Sequence, residues 1–450
     1  MTKKLSYALV GVVVIILVAL PLIYQNQKGA VVDLSSTIKI SQLGSNAFGE
    51  LTGGTDQAMP DSEAVLGRGA SDMVNEAKLS VGAGGGGMPL PESAVQTVGS
   101  FAPDRKVISY TYTYVGEEFT QEEAQLAVLK RVKGDQAAKQ LGKILSQTNF
   151  DLVDLKAFSD LKVNSLNLYE DKDYGYSLYL SPQEGNISIN KHWSKWPQPE
   201  SRCLGGEPNQ RCFEQNRLTE ADLPADDEAI AVANDFLKQR NINTSVYGQP
   251  KVNNTWRIFY ARAENKANYY FPETVSIVYP LVINDLTVYG EAKNEYGMMV
   301  SVDARTMKVS DVYGLNTQIY EGSLYDAETN VEEIIKFAQD GGKQSYSPYG
   351  EVSKTINLEL NTPALVYLRT WNYKTNGQQP DELLVPALIF PIVELPTEGD
   401  FYQENIIVPL VKDFWANNWG GGPIQILEMP AVDSVTIEAP VEIGVDLDDE

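Results

Sequence analysis

The sequence predicts an α+β protein on a membrane anchor: an N-terminal transmembrane helix, a disordered linker, then two or three small α+β units with antiparallel sheets. Three observations predict it. Tyr7 to Tyr24 is a run of eighteen residues without a charge. At ~1.5 Å per residue it just covers a hydrocarbon core of roughly 30 Å. Residues 41–100 hold twelve Gly, with Phe48 their sole aromatic, a composition that buries too little apolar surface to offset chain entropy. Beyond residue 104, Tyr-, Val- and Thr-rich alternation is interleaved with shorter stretches of helical period.

Lys3 and Lys4 precede the apolar run and Lys28 lies beyond it. The positive-inside rule makes residues 1–6 a cytoplasmic tip, residues 7–24 a single-pass signal anchor in the cell membrane, and the remainder extracytoplasmic. A cleaved signal peptide is the alternative; the length of the run and the lack of a small-x-small pair before Gln25 count against it. No Cys closes the run, as a lipoprotein signal would require. Residues 25–100 are then a flexible Gly-rich linker, reaching roughly 50 Å root-mean-square. That reach suits a neighbour in the same membrane.

The first folded domain spans 104–197. Val107 to Val115 alternates as a strand, and Thr120-Gln-Glu-Glu123 reads as a capping box for a helix through Leu126, Val128 and Leu129. A second helix follows Gly134, with Ala137, Leu141, Ile144 and Leu145 on one face. Strands are expected at 161–169, 175–181 and 186–193, the last two joined by a Pro182-Gln-Glu-Gly185 turn. Residues 198–223 form a loop holding Cys203 and Cys212. The unit 224–322 opens with a helix whose acids, Asp226 to Glu228, suit its N-terminus. Strands are expected at 255–261, 274–283, 286–291, 297–303 and 308–313. The unit 328–430 repeats the plan, with a helix from Asn330 to Gln339 stopped by Gly341-Gly342. Strands follow at 356–360, 364–373, 383–393 and 406–411. Residues 431–450 are an acidic tail.

The net charge of −24 argues against nucleic acid and anionic lipid surfaces as partners. A single His, His192, removes multi-His metal sites, and no cofactor is expected. In an exported chain Cys203 and Cys212 are expected to form a disulfide worth roughly 2–3 kcal/mol; the alternative, a two-Cys metal site, has no second pair or neighbouring His to complete it. His192, beside Trp193, acts as a general base only where carboxylates and a nucleophile converge on it. Ser188-Ile-Asn-Lys191 matches S-x-x-K but no K-T-G accompanies it. Asp171-Lys-Asp173 begins like a calcium loop and lacks the later ligands. Phe414, Trp415 and Trp419 are the candidate partner contact. Two Trp with amide neighbours and a Gly-rich flank offer a stacking platform, or else plug the end of the last sheet.

Val300-Ser-Val-Asp-Ala-Arg-Thr-Met-Lys-Val309 resembles the closing hairpin of PepSY-type domains, with Met307 where Gly is usual. Leu383-Leu-Val-Pro-Ala-Leu-Ile-Phe390 resembles the strand–Pro–strand segment of that group. The Lys pair, anchor and extracytoplasmic α+β units are together similar to bacterial accessory proteins that regulate cell-envelope sensor kinases. The resemblance implies a binding or regulatory role through contact with a membrane or envelope protein partner, and brings no catalytic residues. The alternatives are a structural scaffold of an envelope assembly, or a hydrolase using carboxylates such as Asp171, Asp173 or Asp303.

Overall fold

Period-two alternation outweighs helical period along most of the chain, and strands accordingly dominate the fold. The computed structural model describes residues 38–51, 106–148, 164–197, 216–263, 265–342, 351–373, 380–397, 401 and 403–416. Residues 7–24, Cys203, Cys212, Trp419 and the acidic tail lie outside them. No helix among the described residues is long and apolar enough to cross a membrane. Residues from Lys39 onward belong to one unit.

Among the described residues the strands form three sheets. The first is mixed, in the order β1 (Lys39–Gln42), β13 (Ile319–Asp326), β3 (Gln125–Arg131), β16 (Asp381–Pro391), β15 (Ala364–Asn372), β10 (Leu286–Tyr289), β9 (Val282–Ile283). The strand β17 (Asn405–Pro409) pairs with the second half of β16. Pairing is parallel at β1/β13 and β10/β15 and antiparallel elsewhere. The second sheet is antiparallel throughout, in the order β4 (Leu166–Tyr169), β5 (Tyr176–Ser181), β6 (Asn186–Lys191), β12 (Lys308–Asn316), β11 (Gly297–Asp303), β8 (Thr274–Pro280), β7 (Lys251–Val252). The third is a parallel ribbon of β2 (Lys106–Tyr114) and β14 (Glu351–Leu360).

Helices α1 (Asp135–Gln147) and α2 (Asp226–Gln239) pack on one face of the second sheet. Ala137, Leu141 and Leu145 recur at i, i+4 and i+8 on α1, and Ala229, Ala233 and Leu237 do so on α2, so each turns one stripe to the sheet. Helix α3 (Thr255–Arg262) stands apart with an aromatic cluster of Trp256, Tyr260, Tyr269 and Phe271. In α4 (Val331–Gln339), Asn330 accepts from the backbone N–H of Glu332 and Glu333, and Ile334 and Ala338 join Leu388, Phe390, Ile406 and Leu360 in one core. A short α5 (Asp413–Ala416) closes the described chain. Within the second sheet, backbones crowd at the start of β11 and the end of β12: a Cβ on Gly297 would lie 2.0 Å from the Tyr279 carbonyl oxygen of β8, and Gly314 sits at φ +75°.

Several expectations need correction. Strand direction is mixed rather than purely antiparallel because the stretches 104–197, 224–322 and 328–430 meet through parallel pairs: β2 runs parallel to β14 and β10 to β15, while β1 runs parallel to β13. The helix expected after Thr120 is the strand β3, where pairing on both edges overrides a capping pattern. The strand expected at 255–261 is α3, whose first turn is held by Asn253 Oδ1 accepting from Thr255 N–H. The linker expected at 25–100 contributes β1 to the first sheet and buries Leu51 beside Val128 and Phe414; short as it is, the segment finds an unpaired edge on β13.

Candidate binding groove

The ribbon β2/β14 alternates along its length. Ile356, Leu358 and Leu360 turn inward, while Thr355, Asn357 and Glu359 are exposed. The Thr111 and Thr113 hydroxyls both donate to Asn357 Oδ1, making the outer face a hydroxyl and amide surface. On the inner face Tyr110 and Tyr112 meet the Phe401 ring, with centroids 4.7 and 6.4 Å away. Burial, aided by Tyr110, pushes the Tyr112 phenol up to about 12.

In a strand the N–H and C=O of one residue point to the same edge and alternate with the next. The Leu360 carbonyl accepts from Val115 N–H, so even-numbered residues of β14 face β2. Odd-numbered residues face the other edge. There Glu359 C=O accepts from Val393 N–H, and Asn361 N–H donates to Pro391 C=O, both at 2.8–2.9 Å. The segment following β16 thus begins to pair with β14 and then leaves it. Arg262 holds it away, donating from Nη2 to the Pro396 carbonyl at 2.6 Å and from Nη1 to that of Phe401 at 2.7 Å. Among the described residues, the outward backbone groups of Thr355 and Asn357 have no hydrogen-bond partner.

The wedge is a groove of about 530 Å³ running from Lys354 to Glu359 along one wall and from Val393 to Thr397 along the other. Apolar side chains (Ile356, Leu358, Leu395) line it beneath, and Glu359 and Glu394 are exposed at the end where the walls meet. Neither carboxylate forms an ion pair among the described residues. Such a site offers backbone hydrogen bonds, an apolar floor and negative charge.

The residues singled out from sequence lie elsewhere. Phe414 is 1% exposed in the core with Leu51 and Val128. Trp415 is half-buried, its indole donating to Pro409 C=O at 2.7 Å and its ring 4.6 Å from Phe337. Both therefore pack the end of the first sheet, and Trp419 is outside the described residues. His192 lies 5.2 Å from the Tyr169 ring, with its nitrogens 3.4 Å from the Glu170 carbonyl and Ser194 Oγ. Ser188 is paired opposite Tyr179, and Lys191 Nζ is 3.9 Å from Asp303. Asp171 is paired with Lys195, which holds its carboxyl below the usual range. Asp303 Oδ1 accepts from Arg305 N–H, Thr306 N–H and the Thr306 hydroxyl, so it caps its own hairpin. Among the described residues no three His, Cys, Asp or Glu are placed to hold a metal. A second depression of about 550 Å³ lies at Tyr260, Tyr269 and Phe271. Its two cations are engaged, Arg217 by Ala267 C=O and Lys266 by the Tyr260 ring.

Sequence reasoning missed the groove. The alternation of β14 was visible, and Pro396 is a strand breaker, but the free edge depends on where Arg262 draws the next segment.

The fold and groove together define a strand-rich α+β body in which, among the described residues, one edge of β14 is unfilled. No family model matches the chain, and no curated protein does. Among solved structures, an uncharacterized protein from Eubacterium rectale is 12% identical, covering 68% of this chain and 88% of that one at a TM-score of 0.26. The YpeB C-terminal domain of Bacillus megaterium is 11% identical, covering 63% of this chain and 96% of that one at a TM-score of 0.22. At such scores neither likeness bears on what the groove binds.

Proposed function

We propose that this chain is a membrane-anchored, extracytoplasmic binding or regulatory module that acts by protein–protein contact at the cell envelope, adding an extended segment of an envelope partner beside β14. One observation carries the mode of contact: the outward N–H and C=O groups of Thr355 and Asn357 face a groove with an apolar floor. Strand addition satisfies such groups with main-chain hydrogen bonds and draws specificity from alternate side chains. The placement at the envelope is supported by the uncharged run from Tyr7 to Tyr24 behind Lys3 and Lys4. A regulatory role is supported by the likeness of Val300–Val309 to a PepSY closing hairpin; in the structure Met307 occupies φ 52°, a conformation that Gly would adopt at no steric cost.

The test is site-specific photocrosslinking in intact cells making the full chain. A photoreactive residue at Thr355 should trap a membrane or envelope protein, while one at Ser188, on the second sheet, should not. Equal trapping at both positions, or none at Thr355, would overturn the reading. Export carries its own check: mass spectrometry without reduction should find Cys203 and Cys212 in one linked peptide pair, and two free thiols would count against an oxidising compartment.

A further inference from the structure

Strand addition at β14 leaves open what kind of strand is taken, and the groove's side chains narrow it. We infer that the accepted segment alternates apolar with hydroxyl-bearing residues and carries a Lys or Arg where it approaches Glu359 and Glu394. This rests on the strand-addition reading of the groove.

The pleat decides which side chains meet. A strand laid along the free edge shares the pleat of β14, so its residues beside Ile356 and Leu358 point inward and those beside Thr355 and Asn357 point outward. The inward positions meet a floor made by Ile356, Leu358 and Leu395, where an apolar side chain removes surface from water and a polar one would lose its hydration. The outward positions join a surface of Thr111, Thr113, Thr355 and Asn357, in which hydroxyls already bond across strands. Thr and Ser extend that row, and β-branched Thr also suits the extended backbone. Length is limited by the wall from Lys354 to Glu359, six positions or roughly 20 Å of strand. At the closed end the two carboxylates lack a cation among the described residues, and the chain as a whole carries a charge of −24. A cationic end is therefore drawn to this site and an acidic one repelled.

Three blocked heptapeptides test this on the full-length chain in detergent. One alternates Thr and Val and ends in Lys, the second ends in Glu instead, and the third has the composition of the first with its Val and Thr segregated into blocks. Binding is read by fluorescence anisotropy, and occupancy of the edge by amide hydrogen exchange at Thr355 and Asn357. The alternating Lys peptide should bind and slow exchange at both amides. The Glu peptide and the segregated peptide should each bind about tenfold more weakly. Exchanging both exposed acids (Glu359→Lys with Glu394→Lys) should invert the preference between the Lys and Glu peptides. Thr355→Pro removes one outward N–H while leaving the β2 ladder intact, and should abolish binding of all three without unfolding the chain.

Equal affinity for the three peptides, with exchange slowed by each, would overturn the alternation and charge rules while leaving strand addition standing. No slowing by any peptide, together with undiminished photocrosslinking in the Thr355→Pro chain through a photoreactive residue at Val393, would overturn strand addition itself. Slowing that depends on protein concentration alone would identify a second copy of this chain as the occupant, and the inferred partner chemistry would fall.

Discussion

The two large sheets satisfy their polar groups by different means. In the first, β16 is buried from Glu382 to Phe390 on both faces, and its sequence is accordingly a near-continuous apolar run from Leu383. The one charge in that buried span, Glu382, lies between two guanidinium groups: Arg131 Nε and Arg369 Nε each donate to it at 2.7 Å. Arg131 also donates to the Glu184 carbonyl in the β5–β6 turn, so the ion triad ties the first sheet to the second. The second sheet keeps one face for α1 and α2. Its other face carries a registered row of Ser276, Ser301, Asp311, Asn190 and Ser177 across five strands. The charge in the first sheet is met by two guanidinium groups. Asp303, the buried carboxylate at the end of β11, is met instead by the backbone and the Thr306 hydroxyl of its own hairpin, and Ser276, Asn190 and Ser177 on the outer face are half-buried. Position relative to the layers, more than residue type, sets what each polar group is worth.

Truncation sharpens this contrast most. Phe390→Ala, at 0% exposure, should destabilise by about 3–5 kcal/mol in urea unfolding, while Ser188→Ala on the second sheet should stay within about 0.5 kcal/mol. Glu382→Gln should cost a similar ~3–5 kcal/mol, because the buried Arg131 and the half-buried Arg369 lose the carboxylate between them. Burial alone would raise the Glu382 carboxyl, but Arg131 and Arg369 outweigh it and hold it below its usual 4.5. Its folded pKa is thus depressed, so its contribution is present above pH ~4.5 and is lost as pH falls through the folded value. The Gln variant should show a shallower loss of melting temperature on acidification.

Lys293 offers a test in the alkaline range. It is 4% exposed and meets Gln403 Oε1 at 2.7 Å, and burial pushes its ammonium down to about 8. The unfolded chain binds that proton more tightly, so stability should rise between pH 8 and 10.5. Lys293→Met should remove that rise and melt higher at neutral pH. The smallest effect is expected at the β11–β12 hairpin, where Met307→Gly relieves a left-handed φ of 52° and should gain up to about 1 kcal/mol. A loss there would mean that Met307 side-chain packing outweighs backbone strain.

What the sequence made legible was local. The turn at Pro182–Gly185, the hairpin within Val300–Val309 and the helix stopped by Gly341-Gly342 each state their structure within a few residues, and all are present. Gln125–Arg131 and Thr255–Arg262 were not legible, since the first is decided by β13 and β16 and the second by aromatic packing against Tyr269 and Phe271. Phe414 and Trp415 were visible as large aromatics, but composition alone does not separate a platform from a plug. The groove was least legible of all, for it arises from a segment that Arg262 diverts.

The ribbon of β2 and β14 has a consequence for how the chain comes to be folded. Thr111 meets Asn357, 246 positions later, and Ala47 meets Ser323 at a separation of 276. At synthesis rates of about 5–20 residues per second, β2 waits roughly 10–50 s for its partner to be made. Until β13 is made, β1 and β3 have no partner strand, β2 waits longer still for β14, and contacts of such range are also slow to close once the chain is complete. The strands β1, β2 and β3 are therefore passengers that must be kept from pairing with other chains until the late strands arrive.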